Sequence, residues 1–170
     1  MGPHYAGLDE RQFELFYQAT APALLAYIMR ITLDGAHSQD ILQESYVCLL
    51  NAPALAETQR RSFLYRVATR LAVDHWRKHR RELPLGVEDR ERLAASESLD
   101  LNIDVRKILA RLSGRERALL WLAYVENVDH ARIAAILGLR ALSVRVLLFR
   151  ARAHLRRLLK QHGFSCEERS

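Results

Sequence analysis

The chain has 170 residues, 49% hydrophobic and 27% charged, with a formal net charge of +6 and a pI of about 9.7. That balance excludes a disordered acidic tail, and its basic excess points to a polyanion as partner. Two cysteines, Cys48 and Cys166, stand in no paired spacing, which excludes a disulfide framework and fits a reducing compartment. No apolar run reaches the ~18 residues of a membrane span, and the opening MGPHYAG lacks the regions of a secretory signal. A cytoplasmic protein without membrane insertion is expected.

Along residues 8–33, Phe13, Phe16, Tyr17, Leu24, Leu25, Ile28 and Ile31 recur at three- and four-residue steps. Pro22 suits the first turn of a helix better than its interior, so two helices or one kinked helix are expected. Asp34-Gly35 closes this element. A helix over 38–50 follows, with Ser38 as N-cap and Ile41, Leu42, Tyr46, Leu49 and Leu50 on its apolar face. Asp40, Gln43 and Glu44 share an exposed edge of it. Residues 51–59, containing Pro53, read as a loop.

The longest predicted helix covers 60–81. Phe63, Leu64, Val67, Ala68 and Leu71 form its internal stripe. Arg60, Arg61, Arg66, Arg70, Arg77, Lys78, Arg80 and Arg81 lie elsewhere on it, with Asp74 the only acid. Tyr65 and Trp76 stand in this basic setting, where phosphates take the charges and unstacked bases lie on rings; the alternative is that Trp76 closes the core at the helix end. Residues 82–104 turn acidic and contain Pro84 and Gly86, as a linker would.

A helix over 101–112 carries Ile103, Val105, Ile108, Leu109 and Leu112, and Ser113 with Glu116 spells a capping box for the helix behind it. Asp129 is the N-cap of a short helix with Ile133, Ala134, Ile136 and Leu137, which Gly138 ends. After a turn at 139–142, Val144, Leu147, Leu148, Ala151, Leu155 and Leu158 mark a last helix. Two helices joined by a short turn containing Gly are the helix-turn-helix pattern. Arg140, Arg145, Arg150, Arg152, Arg156, Arg157 and Lys160 belong to the second of them, which has no acid. A solvated helix without a partner mixes signs, so this one expects a polyanion; an ordinary hairpin with a basic face is the plainer alternative.

The predicted fold is all-α: two small helical bundles, 8–82 and 102–161, joined by the acidic linker 83–101, the second containing the helix-turn-helix. No glycine-rich phosphate loop or nucleophile elbow is present, so neither catalysis nor a cofactor is expected. His75 and His79 stand four apart, but no Glu follows the first and arginines surround them. A solvated or phosphate-facing pair is expected there, and no metal. Asp40, Gln43 and Glu44 suit a contact surface, since no apolar pocket is evident that would tune them for acid–base work.

Taken together, SQDILQESY (38–46), SFLYRVATRLAVDHWRKHRR (62–81), LARLSGRERALLWLAYVENVDHARIAAILGL (109–139) and SVRVLLFRARAHLRRLL (143–159) resemble the bacterial extracytoplasmic-function (ECF) sigma factors, two-domain specificity subunits of RNA polymerase. The resemblance covers roughly residues 13–159. It implies that the first domain binds core polymerase through Asp40, Gln43 and Glu44 on the β′ clamp helices. It implies that Arg66, Arg70, Trp76, Arg77 and Lys78 hold the melted −10 element, with the 51–59 loop capturing a flipped base. It implies that the second domain lies at the β flap and reads the −35 element through Arg140, Ser143, Arg145 and Arg150. An anti-sigma partner is implied as well.

The chain departs from the family pattern where Arg70 replaces Asn, where Arg132 replaces the Glu before Ile-Ala, and where Arg140-Ala-Leu-Ser-Val replaces a small polar cap with Thr-Val. Base preference is therefore not carried over. Two other classes fit parts of the sequence: a stand-alone helix-turn-helix regulator, and a helical adaptor whose basic faces meet acidic proteins.

Overall fold

The computed structural model describes residues 8–82 and 103–164. Seven helices account for most of them: α1 (Glu10–Thr32), α2 (Gly35–Leu50), α3 (Glu57–Glu82), α4 (Ile103–Arg111), α5 (Gly114–Tyr124), α6 (His130–Leu137) and α7 (Ala141–Gln161). No strand occurs among the described residues. The acidic segment expected as a linker falls almost wholly outside them.

α1 is one helix, with Pro22 in its interior. Pro22 removes the bond to the Gln18 carbonyl, but both residues are exposed, so water can take that carbonyl. The opposite face, with Thr20, Ala21, Leu24, Tyr27, Ile28 and Ile31, is buried and holds the helix through the proline. α1 starts at a capping box between Asp9 and Gln12 and stops at Leu33, whose φ of 58° is left-handed. Leu33, not Gly35, makes the turn. Asp34 then caps α2, accepting from the His37 N–H, so the expected cap at Ser38 is displaced by one turn. Ser38 is buried, and its hydroxyl bonds the Asp34 carbonyl and Thr32 Oγ1.

α1, α2 and α3 pack on one another. Their buried hydroxyls pair across helices: Tyr27 with Thr69 at 2.6 Å, and Thr20 with Tyr46 at 2.6 Å. Burial pushes the Tyr27 hydroxyl well above the ordinary tyrosine range, although the Thr69 bond works the other way. In the second half, the Ser113–Glu116 capping box and the Asp129 cap both form as the sequence predicts, and Gly138 ends α6 at φ 62°.

The two halves are not separate in this conformation. α5 packs on α1, and α3 packs on α6 and α5. Leu24, Ile28, Ile31, Leu64 and Ala68 belong to the same buried cluster as Leu119, Leu122, Ile133, Ile136 and Leu137. Full burial of such side chains stabilises by about 1.5–3 kcal/mol each. A smaller cluster of Ile108, Leu112 and Leu158 ties α4 to α7.

Polar contacts cross the same junction in both directions. The Arg30 guanidinium lies 5.6 Å from the Trp121 ring, and that of Arg117 lies 5.5 Å from Trp76. Gly114 sits so close that a Cβ there would lie 3.4 Å from Ile31 and 3.5 Å from Trp76. Arg61 pairs with Glu126 at 2.9 Å, and beside them burial and the Glu126 charge push the Tyr65 hydroxyl up to about 12. Arg61 is exposed, so that ion pair adds only a few tenths of a kcal/mol to about 1 kcal/mol.

Candidate nucleic-acid and polymerase interface

α7 is anchored on one side by Val144, Leu148, Ala151 and Leu158, all buried. Arg140, Arg145 and Arg150 are exposed, and Ser143 is half-buried. Arg140 is the N-cap and makes no side-chain capping bond. The Ser143 N–H bonds back to the Arg140 carbonyl at 2.9 Å, and no capping side chain covers this positive end of the helix dipole, where phosphate is favoured.

Between these cations lies a feature that the helical pattern alone did not single out. Leu142, Val146 and Phe149 are 92%, 49% and 64% exposed. Their spacing puts them on one face, with Arg145 on one side and Arg150 on the other. The signal was available: these three apolar residues fall off the stripe that Val144, Leu148 and Ala151 define. An apolar ridge framed by arginines suits the major groove, where thymine methyls accept apolar contact and guanines accept arginine.

α7 is also tied to α5. His154 Nδ1 lies 2.8 Å from Glu116 Oε1, while Glu116 Oε2 closes the capping box on the Ser113 N–H. Burial alone would raise the Glu116 carboxyl, but bonds from His154 and Ser113 and the His154 charge outweigh it and hold the carboxyl below its usual range. A lowered folded value means stabilisation that is present above the unfolded value of about 4.5 and lost as pH falls through the folded one. Thermal stability should thus begin to fall below about pH 4.5. Glu116→Gln should flatten that acid limb while costing about 1 kcal/mol at neutral pH through the cap.

On α2, Asp40, Gln43 and Glu44 are all exposed and flank the exposed Val47. They form one acidic-polar edge with an apolar neighbour, on the side away from buried Ile41, Leu42 and Ser45.

On α3, Arg66, Arg70, Arg77 and Lys78 are exposed. Arg66, Arg70 and Arg77 line a cleft whose far wall is Arg115 with Ile136, Leu137 and Gly138 of the second half. Trp76 is turned elsewhere, against Gly114 and Arg117. In this conformation it is part of the junction between the halves and not a free platform for a base. Tyr65, the other aromatic of the basic helix, is buried.

An acid-free second helix of a helix-turn-helix, with a basic helix and an acidic edge on the other half, is the arrangement of a nucleic-acid-binding protein. Residues 16–82 match the model of Sigma-70 region 2 and residues 103–155 that of Sigma-70, region 4. The chain belongs to the sigma-70 family and is a promoter-directing sigma factor of the ECF class. It is 28% identical to the ECF RNA polymerase sigma factor SigL of Mycobacterium tuberculosis, covering 93% of this chain and 94% of that one. It is 30% identical to the probable RNA polymerase sigma factor RfaY of Xanthomonas campestris, over 94% of this chain but only 43% of that protein.

Among solved structures, the sigma factor RpoE in complex with the anti-sigma factor NepR from Bartonella quintana superposes with a TM-score of 0.65 at 23% identity. That match covers 88% of this chain and 98% of RpoE. It shows a shared fold. The family assignment displaces the stand-alone regulator and the adaptor that the sequence left open.

Proposed function

We propose that residues 8–82 form the polymerase-binding and −10 domain, and residues 102–161 the −35 domain. Sigma factors are initiation factors and not enzymes, so the chemistry is that of docking and strand capture. Asp40, Gln43 and Glu44 meet the β′ clamp helices. Arg66, Arg70, Arg77 and Lys78 hold the opened −10 strand, with the residues after α2 receiving a flipped base, and the second half lies near the β flap. Arg140, Ser143, Arg145 and Arg150 meet the −35 duplex, with Leu142, Val146 and Phe149 against thymine methyls. An anti-sigma factor fits as the regulator, and the cytoplasm as the compartment.

The observation that carries this reading is α7, whose exposed face holds six cations and no acid along 21 residues. Phosphate contacts from such a face set affinity and register, and a few base contacts set sequence. The docked halves add a condition. The α3 arginines face the α6 wall of the cleft and Trp76 lies under Arg117, so single-stranded DNA reaches Trp76 only after the halves part. Polymerase binding, with its two separated contact points, supplies the free energy for parting them; tethering then raises the effective concentration of each half.

The test is transcription by core polymerase on a fragmented genomic library, with transcript starts sequenced. Starts should share paired upstream motifs and should disappear with Asp40→Ala plus Glu44→Ala. Those two side chains are exposed, so thermal stability should be unchanged within about 0.5 kcal/mol. Starts that persist in the double variant would remove this edge from polymerase binding.

A further inference from the structure

We propose that Asp34, His37 and His75 form a binding site for a divalent transition-metal ion, zinc above all, which clamps the α1–α2 corner to the last turns of α3. Asp34 and His37 come from one short stretch, and His75 from a helix that packs across it. His37 Nδ1 lies 2.8 Å from Asp34 Oδ2, and His75 Nε2 lies 3.8 Å from the same oxygen. All three ligand atoms fall within 4.8 Å of one another. Around a tetrahedral zinc with bonds of about 2.0–2.1 Å, ligand atoms stand roughly 3.3 Å apart. The two separations from Asp34 Oδ2 lie on either side of that figure, and side-chain rotations that turn the His37 and His75 rings, 4.4 Å apart between centroids, toward one point close the site.

The donor set fits the ion. Two imidazoles and one carboxylate are a zinc ligand set, with the fourth position left to water or to His79, whose ring stacks 5.9 Å from that of His75. The carboxylate is also oriented in advance. Asp34 Oδ1 is held by the His37 N–H at 3.1 Å as the cap of α2, which leaves Oδ2 toward the imidazoles, as supporting bonds do at metal sites. Asp34 and His75 are mostly buried, at 17% and 21% side-chain exposure, while His37 at 55% leaves an entry path.

The neighbouring cations Arg77 and Lys78 weaken the affinity. They do not block it, since both are exposed and screened, and Arg77 leans toward Asp74 at 3.9 Å. Because the site bridges the α1–α2 corner and α3, its role is mechanical. It fixes the end of α3, one residue from Trp76 and thus from the junction between the halves.

The experiment uses the full-length, untagged protein, stripped with chelator and titrated with cobalt(II) while visible absorption is recorded. One equivalent should bind with the intense d–d bands of a four-coordinate ion, zinc should displace it, and zinc should raise the melting temperature. His37→Ala and His75→Gln should each lower the affinity more than about 100-fold and abolish the melting shift. Each variant should still melt as wild type does in chelator, which separates loss of the site from loss of the fold; should His75→Gln fail that control, His37→Ala, whose side chain is mostly exposed, carries the test. His162→Ala, at the end of α7, should bind normally. Absence of a stoichiometric cobalt complex, or one that survives the His37/His75 double change, would overturn the proposal.

Discussion

Arg117→Ala is expected to be the most damaging single change in the described structure, lowering folding free energy by about 3–5 kcal/mol. The side chain is 2% exposed. Its Nη1 donates to the carbonyls of Leu109 and Leu112 at 2.7 and 2.6 Å, and its Nη2 to the carbonyl of Ile31. Those oxygens sit at the C-terminal ends of α4 and α1, where the helix dipole favours a cation. Each charge-assisted bond is worth about 1.5–3 kcal/mol, and alanine would leave buried carbonyls without their donor. Arg117→Lys should rescue little, because a point charge cannot span carbonyls that a planar fork reaches at once. Denaturant unfolding at unchanged slope is the measurement. A shift below about 0.5 kcal/mol would mean that this guanidinium network, two of whose three bonds lie within the second half, does not hold in solution.

Removal of Arg145 and Arg150 together is expected to have the largest effect on promoter use while leaving the fold intact. Both are exposed on the face of α7 opposite its buried stripe. A good base contact in the groove is worth about 1–3 kcal/mol, so each removal weakens −35 binding by roughly 5-fold to 150-fold. Competition between promoters and random duplex separates two origins of the defect. Arginines that read bases would, once removed, shrink the affinity ratio between sequences, whereas arginines that only neutralise phosphates would weaken binding to all sequences alike. Phe149→Ala offers a finer probe: it should reduce preference for thymine over uracil at the contacted step, since only thymine carries the methyl. Unchanged transcription by the double arginine variant would count against groove reading by this helix.

The elements that sequence pattern revealed well are those specified locally. Ser113 and Glu116 need only each other to cap α5, and Asp129 and Gly138 bracket α6 within ten residues. Where two local signals competed, pattern failed. Asp34 and Ser38 are both good caps four residues apart, and the choice went to Asp34 because Leu33 takes the left-handed turn and Ser38 is needed in the core. Pro22 announced a break that the packing of Leu24 and Ile28 overrides.

The functional surface divides in the same way. Periodicity tells which face of α6 is buried, but not that Ile136 and Leu137 lie with α3 beneath them. The basic setting of Trp76 carried no hint of Gly114 and Arg117, nor did the His75–His79 spacing reveal Asp34 and His37. Such partners come from about forty residues away, beyond any local window. The family resemblance supplied what periodicity lacks, an order of contacts along a promoter, but the placement of individual side chains had to come from the fold.

The absence of acids from α7 makes ionic strength a ruler for this protein. Each phosphate neutralised on duplex DNA contributes about −0.9 to the slope of log K against log salt. Arg145, Arg152, Arg156 and Lys160 fall on one side of the helix and Arg150 and Arg157 on the other, so on this helix a duplex lying along the first side gives a slope of about −3.6, one along the second about −1.8, and one cradled by both about −5.4. Because no carboxylate on the helix offsets these charges, the slope counts phosphates directly, and the way the helix lies on its promoter becomes a quantity to be read from a salt titration.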